Sequence, residues 1–465
     1  MMEKVKQGNL VKWLISVGMP LLLFFVPTSE VFTSQARMFL VLSVMAILVI
    51  AFGLMDMMIP ALLLPAGYWV FGVVEKATEA YAGFASVTIW VILGAFVLTI
   101  ALDECGILKR IALAVIEKLG GSYNATLYAI YIVGVVLGQL CFCSHYFILI
   151  GLVFGICQAM KLKPLSKEGA IMMCVGGMAA MNVKTFLYQT SNMSLMIAGM
   201  QNVYPDFTIA PIQLLLYNCP EFLTSLLFIF VVTKVCHTKD IQFEGGREYF
   251  RKERLAMGPM TIAEKKAIVV LIVLMSYVMF QPYHKFNLNY VFIILPWICF
   301  FPGVNIAPTK SLDRARMFFS TFAFAGSCIT IGQVAQMLGL GTLIADIATP
   351  ILAPMGKVGL TYGVLLFGTV ANLLLTPAAM ASLLPTVLAN IYQVLGYNPI
   401  CSILTVVYSL DMIFLPHEVT AYLVMFGFGM MSMKQFIKFY GAKTLFTLVF
   451  FGLIQIPWWM LLGIF

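Results

Sequence analysis

The sequence predicts an all-α polytopic membrane protein built from inverted repeats, with two re-entrant helical hairpins and two broken transmembrane helices among about 11 spans. Three observations carry that reading. Of 465 residues, 62% are hydrophobic and only 10% charged, with a mean hydropathy of +0.98, whereas a soluble domain carries roughly 25% charged residues. Two polar stretches, Thr185-Phe186-Leu187-Tyr188-Gln189-Thr190-Ser191-Asn192 and Pro416-His417-Glu418-Val419-Thr420, interrupt apolar segments in corresponding places of the two halves. Irregular backbone at membrane depth is tolerated only where protein buries it or where it lines a wet cavity, so the halves are expected to build one site between them. Finally, Gly106-Ile107 through Ile111-Ala112 parallels Gly339-Leu340 through Ile344-Ala345 at a single constant offset.

The elements follow in order. The first apolar run, 11–27, is long and lacks a small-residue cleavage site, so it reads as a span, not a cleaved signal peptide. Runs 38–54, 61–74 and 84–102 complete a set of N-terminal scaffold helices over 1–102. Runs 127–143 and 147–160 then form a hairpin whose polar tip is Ser144-His145-Tyr146. Run 168–181 leads into a break near 182–191, and 103–209 forms the first repeat, which the family resemblance given below implies to be the first half of a transport domain. Runs 214–235, 267–280, 290–301 and 318–337 return to scaffold over 210–335, interrupted by a hydrophilic loop at 238–266. The second half, 336–431, repeats the pattern. Run 361–375 ends in the tip Leu375-Thr376-Pro377-Ala378, and runs 400–414 and 422–431 flank a break near 415–421. Run 445–465 closes the chain as a C-terminal scaffold helix over 432–465. Crossing takes about 20 apolar residues, so the shorter runs read as hairpin arms and half-helices.

Charge placement gives an orientation. Lys109, Arg110, Lys118, Lys161, Lys163 and Lys167 fall on one side of this map, with the basic residues of 234–266, Lys310, Arg314, Arg316, Lys434, Lys438 and Lys443. Only Arg37, Lys76, Lys285 and Lys357 fall on the other, with Lys184 inside. By the positive-inside rule the N-terminus and the 238–266 loop are cytoplasmic, as expected for a plasma (inner) membrane protein. The first Gly-Ile-x-x-x-Ile-Ala helix carries Lys109, Arg110 and Lys118 and its repeat almost no basic residues, as opposite orientations require. The loop's acidic and apolar neighbours, Asp240, Glu244 and Phe250, mark it as a juxtamembrane linker and not a nucleic-acid surface. The ten cysteines lie in or beside apolar spans and read as buried free thiols, and the thirty methionines as packing.

The order of elements resembles the divalent-anion/sodium symporters, the family of dicarboxylate, citrate and sulfate carriers. The resemblance covers the chain from about residue 84 onward. It rests chiefly on Ala101-Leu102-Asp103-Glu104-Cys105-Gly106, similar to the family's Ala-Leu-Glu-x-x-Gly, and on Leu415-Pro416 followed by Val424-Met425-Phe426-Gly427. It implies a dimeric scaffold and a transport domain that moves like an elevator, with substrate and sodium held between hairpin tips and helix breaks. The departures are as informative. Where the family has Ser-Asn-Thr at each tip, only Ser144 matches; where its breaks end in Thr-Pro-Pro-Asn, only Asn192 does. The scaffold is kept and the site rewritten, so substrate and coupling ion do not carry over from the family.

Short hydroxyl and amide side chains suit a carboxylate or a dehydrated sodium ion. Ser144, His145, Tyr146, Thr190, Ser191, Asn192, Thr376, Pro377 and Thr420 are therefore the candidate substrate residues, although Ser and Thr also cap helix ends. Half-helix N-termini add donors for an anion. Lys184, His417 and Glu418 are the candidate coupling charges. Lys184 could stand in for a sodium ion, His417 or Glu418 could take up a proton, or Lys184 and Glu418 could form a plain ion pair. Cys141-x-Cys143-x-His145 has poor spacing for tetrahedral metal ligation, so no metal site is expected beyond a coupling sodium. Asp103-Glu104 reads as a solvated helix-start pair, and no Ser/His/Asp order or His-Glu-x-x-His motif points to an enzyme. The expected function is secondary transport of a small anion, with proton coupling or exchange as alternatives to strict sodium coupling. The altered tips leave a transport-inactive homologue, a membrane sensor or partner-binding protein, as the other reading.

Overall fold

The computed structural model describes the chain except residues 1, 30, 31, 53, 57, 142–145, 182–189, 239, 240, 242–245, 341, 342, 344–349, 351 and 373–376. Side chains are also left undescribed at 2–9, 51, 141, 147, 190, 191, 315–318, 320, 321, 378, 379, 417, 420, 423 and 424. The described residues are helices and their connections, with no strand among them, as the composition requires. Helices α1 (Met2–Leu21) and α2 (Ser34–Ala51) pack together, and Arg37 ties their connection by donating to the carbonyls of Phe24 and Val26. Helix α3 (Met58–Val70) is fixed to α2 by a buried hydrogen bond between Ser43 Oγ and Tyr68 Oη at 2.7 Å.

Helix α4 (Val87–Glu104) is apolar on every face and buried over most of its length, the expected pattern for an interior helix. Asp103 and Glu104 end this helix instead of starting one, and both accept from the Arg314 guanidinium, at 2.6 and 3.3 Å. Gly106, at φ +82°, turns the chain into the amphipathic α5 (Ile107–Leu119). In α6 (Tyr123–Cys141) and α7 (Tyr146–Ala159) the structure has the two arms of the first hairpin. Helix α8 (Lys167–Ala180), N-capped by Ser166, and α9 (Thr190–Gln201) flank residues 182–189, where the first break is expected. Helix α9 begins at Thr190, so Thr190, Ser191 and Asn192 form its first turn and do not belong to the break. Helices α10 (Pro211–Asn218) and α11 (Pro220–Val235) meet at a 44° bend, explained by Pro220, which lacks the amide needed to continue α10.

The 238–266 loop contains a helix of its own, α12 (Gly246–Ala256), strapped along α5 by two arginine contacts. Arg247 donates to the Gly120 carbonyl at 2.6 Å, and Arg254 meets Glu117 at 2.5 Å. Arg110 of α5 meets Glu264 at 2.6 Å, and Glu264 also closes a capping box with Thr261 at the start of α13 (Ile262–Met279). Burial alone would raise the Glu264 carboxyl, but the Arg110 guanidinium and the Thr261 contacts outweigh it and hold it below the usual carboxylate range. Helix α14 (Asn289–Ile298) lies against α4 at Gly94, where a Cβ would stand 1.9 Å from the Phe292 carbonyl oxygen.

Helix α15 (Phe319–Met337) packs on α3 and anchors there through Ser327, which donates to the Ala61 carbonyl. The second repeat follows: hairpin arms α16 (Gly356–Ala371) and α17 (Pro377–Leu395), then broken-helix halves α18 (Pro399–Ser409) and α19 (Thr420–Gly427). Helices α6 and α7 pack on α8, and α16 and α17 pack on α18. The repeats meet where α9 lies along α17, with Thr386 Oγ1 donating to the Gly199 carbonyl at 2.9 Å. Helix α20 (Met433–Phe450) passes through a π-helical turn at Phe451–Gln455 into α21 (Ile456–Leu461). Among the described helices, 87–104, 123–140 and 433–461 are long and apolar enough to cross alone, and α10 with α11 makes a fourth if the bend is one span. The remaining apolar helices are shorter.

Candidate functional site

The second break shows where the polar groups of an interrupted membrane helix go. Helix α18 unwinds after Ser409, earlier than the 415–421 expected from sequence, and the chain regains helix only at Thr420. Leu415 is extended, as a residue before proline prefers, and Pro416 brings no amide of its own. Ending a helix strands its last carbonyls, and here neighbouring side chains meet them. Asn372, at the end of hairpin arm α16, donates through Nδ2 to Ser409 O at 2.6 Å and Met412 O at 3.5 Å. From α20, Thr444 donates to Ile413 O at 3.3 Å, and Lys443 Nζ reaches Asp411 O at 3.4 Å and Asp411 Oδ2 at 2.6 Å.

Glu418 serves the stranded amides of the same stretch. Its Oε1 accepts from Phe414 N at 3.0 Å and Leu415 N at 2.6 Å, folding the carboxylate back over the break. The residue is 3% exposed, and its Oε2 is buried with no hydrogen-bond partner among the described residues. That oxygen is the open position of the site, able to hold a proton or to accept from a bound group. Asn372 Oδ1 is a second buried acceptor of this kind.

Lys443 corrects the sequence reading, which placed it on the cytoplasmic face with Lys434 and Lys438. Its side chain is 5% exposed and that of Asp411 2%, so the pair lies in the protein interior. A lysine in a membrane helix costs about 2.5–3.5 kcal/mol on insertion scales, and breaking a buried pair by removing one partner costs about 3–5 kcal/mol. Helix α20 also touches both broken helices. Tyr440 donates to the Cys174 carbonyl of α8 at 3.2 Å, and its ring packs on Tyr422 of α19, 4.7 Å between centroids. In the π-helical turn, Gln455 accepts from Tyr408 of α18 at 2.8 Å and donates to the Tyr217 carbonyl at 2.6 Å, an irregular turn put to structural use.

Of the expected site residues, Asn192 is buried in the first turn of α9, Tyr146 half-buried at the start of α7, and Pro377 half-buried at the start of α17. Thr190 and Ser191 open α9 and Thr420 opens α19, while His417 lies in the short 3₁₀ turn between α18 and α19; their side chains lie outside the described residues. Ser144, His145, Lys184 and Thr376 lie outside them altogether, and with Lys184 goes the expected pairing to Glu418. Sequence reasoning missed Asn372, Asp411, Lys443 and Thr444. Asp411 alone carried a usable signal, an acid inside an otherwise apolar run. No group of three or more metal-ligating side chains occurs among the described residues.

Two cavities lie toward opposite ends of α4. One of about 410 Å³ is lined by Thr78, Glu79, Asn202, Gln333 and Gln336, the other, of about 380 Å³, by Asp103, Lys109, Tyr249, Glu253 and the apolar face of α7.

This architecture matches known transporters. Residues 7–465 match the family described as the sodium:sulfate symporter transmembrane region. Among solved structures, the YdaH transporter of Alcanivorax borkumensis is similar at 17% identity and a TM-score of 0.56, over 86% of this chain and 88% of that one. MtrF of Neisseria gonorrhoeae, whose structure is reported to illuminate a class of antimetabolite efflux pumps, is similar at 13% identity and a TM-score of 0.57, over 79% and 80%. At these identities the likeness is one of fold. No curated protein matches the chain by sequence. The match across nearly the whole length decides the assignment: the chain belongs to the sodium:sulfate symporter family and is a membrane transporter, not an enzyme.

Proposed function

We propose that the protein is a secondary carrier of a small anion, a di- or tricarboxylate or an inorganic anion, working by an elevator movement. The observation that carries this reading is the second break, where an interrupted helix is held open inside the protein by Asn372, Thr444, Lys443 and Glu418. Such a construction leaves the start of α19 as an anion-favouring helix end. Ser144, His145 and Tyr146 near the first tip, Thr190, Ser191 and Asn192 in the first turn of α9, and Thr376, Pro377 and Thr420 of the second repeat are the proposed substrate contacts. The moving unit comprises both hairpins and both broken helices. Helix α20 joins it in this reading, because Tyr440, Lys443 and Thr444 bond to α8 and to the second break, while Gln455 and Trp459 beyond it bond to the Tyr217 carbonyl of α10. The family favours sodium as coupling ion; the open Oε2 of Glu418 favours a proton. A homodimer formed through the scaffold, in an inner membrane with the N-terminus cytoplasmic, follows from the resemblance and from the distribution of basic residues.

The test is uptake of labelled succinate, citrate and sulfate into proteoliposomes, with sodium and pH gradients imposed separately. Uptake of any one against its gradient establishes the carrier. Stoichiometric binding of an anion with no flux under either gradient would refute it in favour of a transport-inactive sensor.

A further inference from the structure

The C-terminal end of a half-helix carries partial negative charge and stranded carbonyls, and in carriers built on broken helices such ends coordinate the transported cation. At the end of α18 that position is already taken. The Lys443 ammonium reaches both the carboxylate and the carbonyl of Asp411, at 2.6 and 3.4 Å, from a neighbouring helix. The carbonyls on either side are bound as well, Ser409 and Met412 by Asn372, Ile413 by Thr444. A sodium ion entering here would have to displace three sets of hydrogen bonds and sit beside a fixed positive charge. These residues therefore do not fit a coupling sodium. They fit an arrangement in which the charge belongs to the protein.

We infer that Lys443 is a resident cation: its ammonium replaces an external metal cation at the end of α18, so a coupling sodium does not bind there. Both partners are almost fully buried, which keeps the pair from being screened and holds it in place when the moving unit shifts. Tyr440, one turn before Lys443 on α20, bonds to the Cys174 carbonyl of α8, so the helix that supplies the charge is docked on the first broken helix too. The consequence for transport, one fewer cation moved per anion than a carrier with two open breaks, rests on the proposed carrier function. The charge replacement itself does not.

The experiment uses purified full-length protein in detergent, with thermal unfolding measured in sodium chloride and in choline chloride at equal ionic strength. Lys443→Ala uncovers the Asp411 carboxylate and the carbonyl beside it. Sodium should then raise the Tm of the variant by roughly 5 °C more than it raises that of the wild type. Lys443→Arg should behave as the wild type, and the double variant Asp411→Asn/Lys443→Ala should show no added sodium response. An equal sodium shift in the wild type and in Lys443→Ala overturns the inference. Should Lys443→Ala fail to fold in either salt, binding of radioactive sodium to the wild type decides: at most one saturable site per chain supports it, and two or more overturn it. None of these readouts uses transport, so a protein that moves no anion would still give them.

Discussion

Replacing Glu418 by Gln changes one atom of consequence. The amide keeps an oxygen for the Phe414 and Leu415 N–H groups, now at 3.0 and 2.6 Å from Oε1, and alters the group at Oε2, which has no hydrogen-bond partner among the described residues. Glu418→Gln should therefore fold and lose only the ability to exchange a proton. Glu418→Ala removes the acceptor as well. Stranding two buried amides costs about 1–3 kcal/mol each, so the alanine variant should lose about 2–6 kcal/mol while the glutamine variant stays within about 1 kcal/mol of wild type. The assay pairs thermal unfolding with anion uptake between pH 5.5 and 8.5. If Oε2 is the proton seat, wild-type uptake should change by up to about tenfold per pH unit on one side of its titration, and Glu418→Gln should flatten that limb. A glutamine variant that keeps the wild-type pH profile would remove Glu418 from the coupling mechanism. One that unfolds like the alanine variant would mean the carboxylate's charge, not its hydrogen bonds, holds the break.

Three further outcomes follow from the packing. The Glu264 carboxyl is held down in the folded protein, so its contribution is present above the unfolded-state value and is lost as pH falls through the lower folded value; Glu264→Gln should abolish that part of the acid destabilisation, measured as Tm from pH 7 to pH 3. Arg110→Ala should cost about 3 kcal/mol at pH 7, because it leaves the buried Glu264 without its ion-pair partner, and the loss should shrink as pH falls. Gly94→Ala places a methyl group on the Phe292 carbonyl, forcing α4 and α14 apart, and should lower stability by about 1–3 kcal/mol or more in a thermal shift assay.

How far the sequence was legible depends on what each signal measures. Apolar runs report burial in lipid or protein, and they located the helices. They could not place the start of the second break, because Leu410, Met412, Ile413 and Phe414 are as apolar as the helix before them. Where α18 ends is set by Asn372 and by Thr444, one before it in sequence and one after, and a local pattern carries no trace of either. Lys443 misled for a related reason. The positive-inside rule reads a lysine near a helix end as facing solvent, and only the fold shows that Asp411 waits for it. The Arg314 contacts to Asp103 and Glu104 were hidden in the same way, since they join segments far apart in the chain.

The second break also bears on the rigidity of the moving unit proposed above. An elevator carries its site across the bilayer without rebuilding it, so the polar groups of the interrupted helix must be satisfied by residues that travel with it. Asn372 comes from the hairpin of the same repeat, Glu418 from the break itself, and Lys443 and Thr444 from α20. None of these contacts comes from α1 to α4 or from α13 to α15. Were α20 fixed in the scaffold, each crossing would have to break a buried ion pair and the hydrogen bonds of Tyr440 and Thr444, a loss several times the cost of any one of them. In the proposed elevator these bonds favour α20 travelling with the site, while Gln455, Trp458 and Trp459 beyond it bond to the Leu216 and Tyr217 carbonyls of α10.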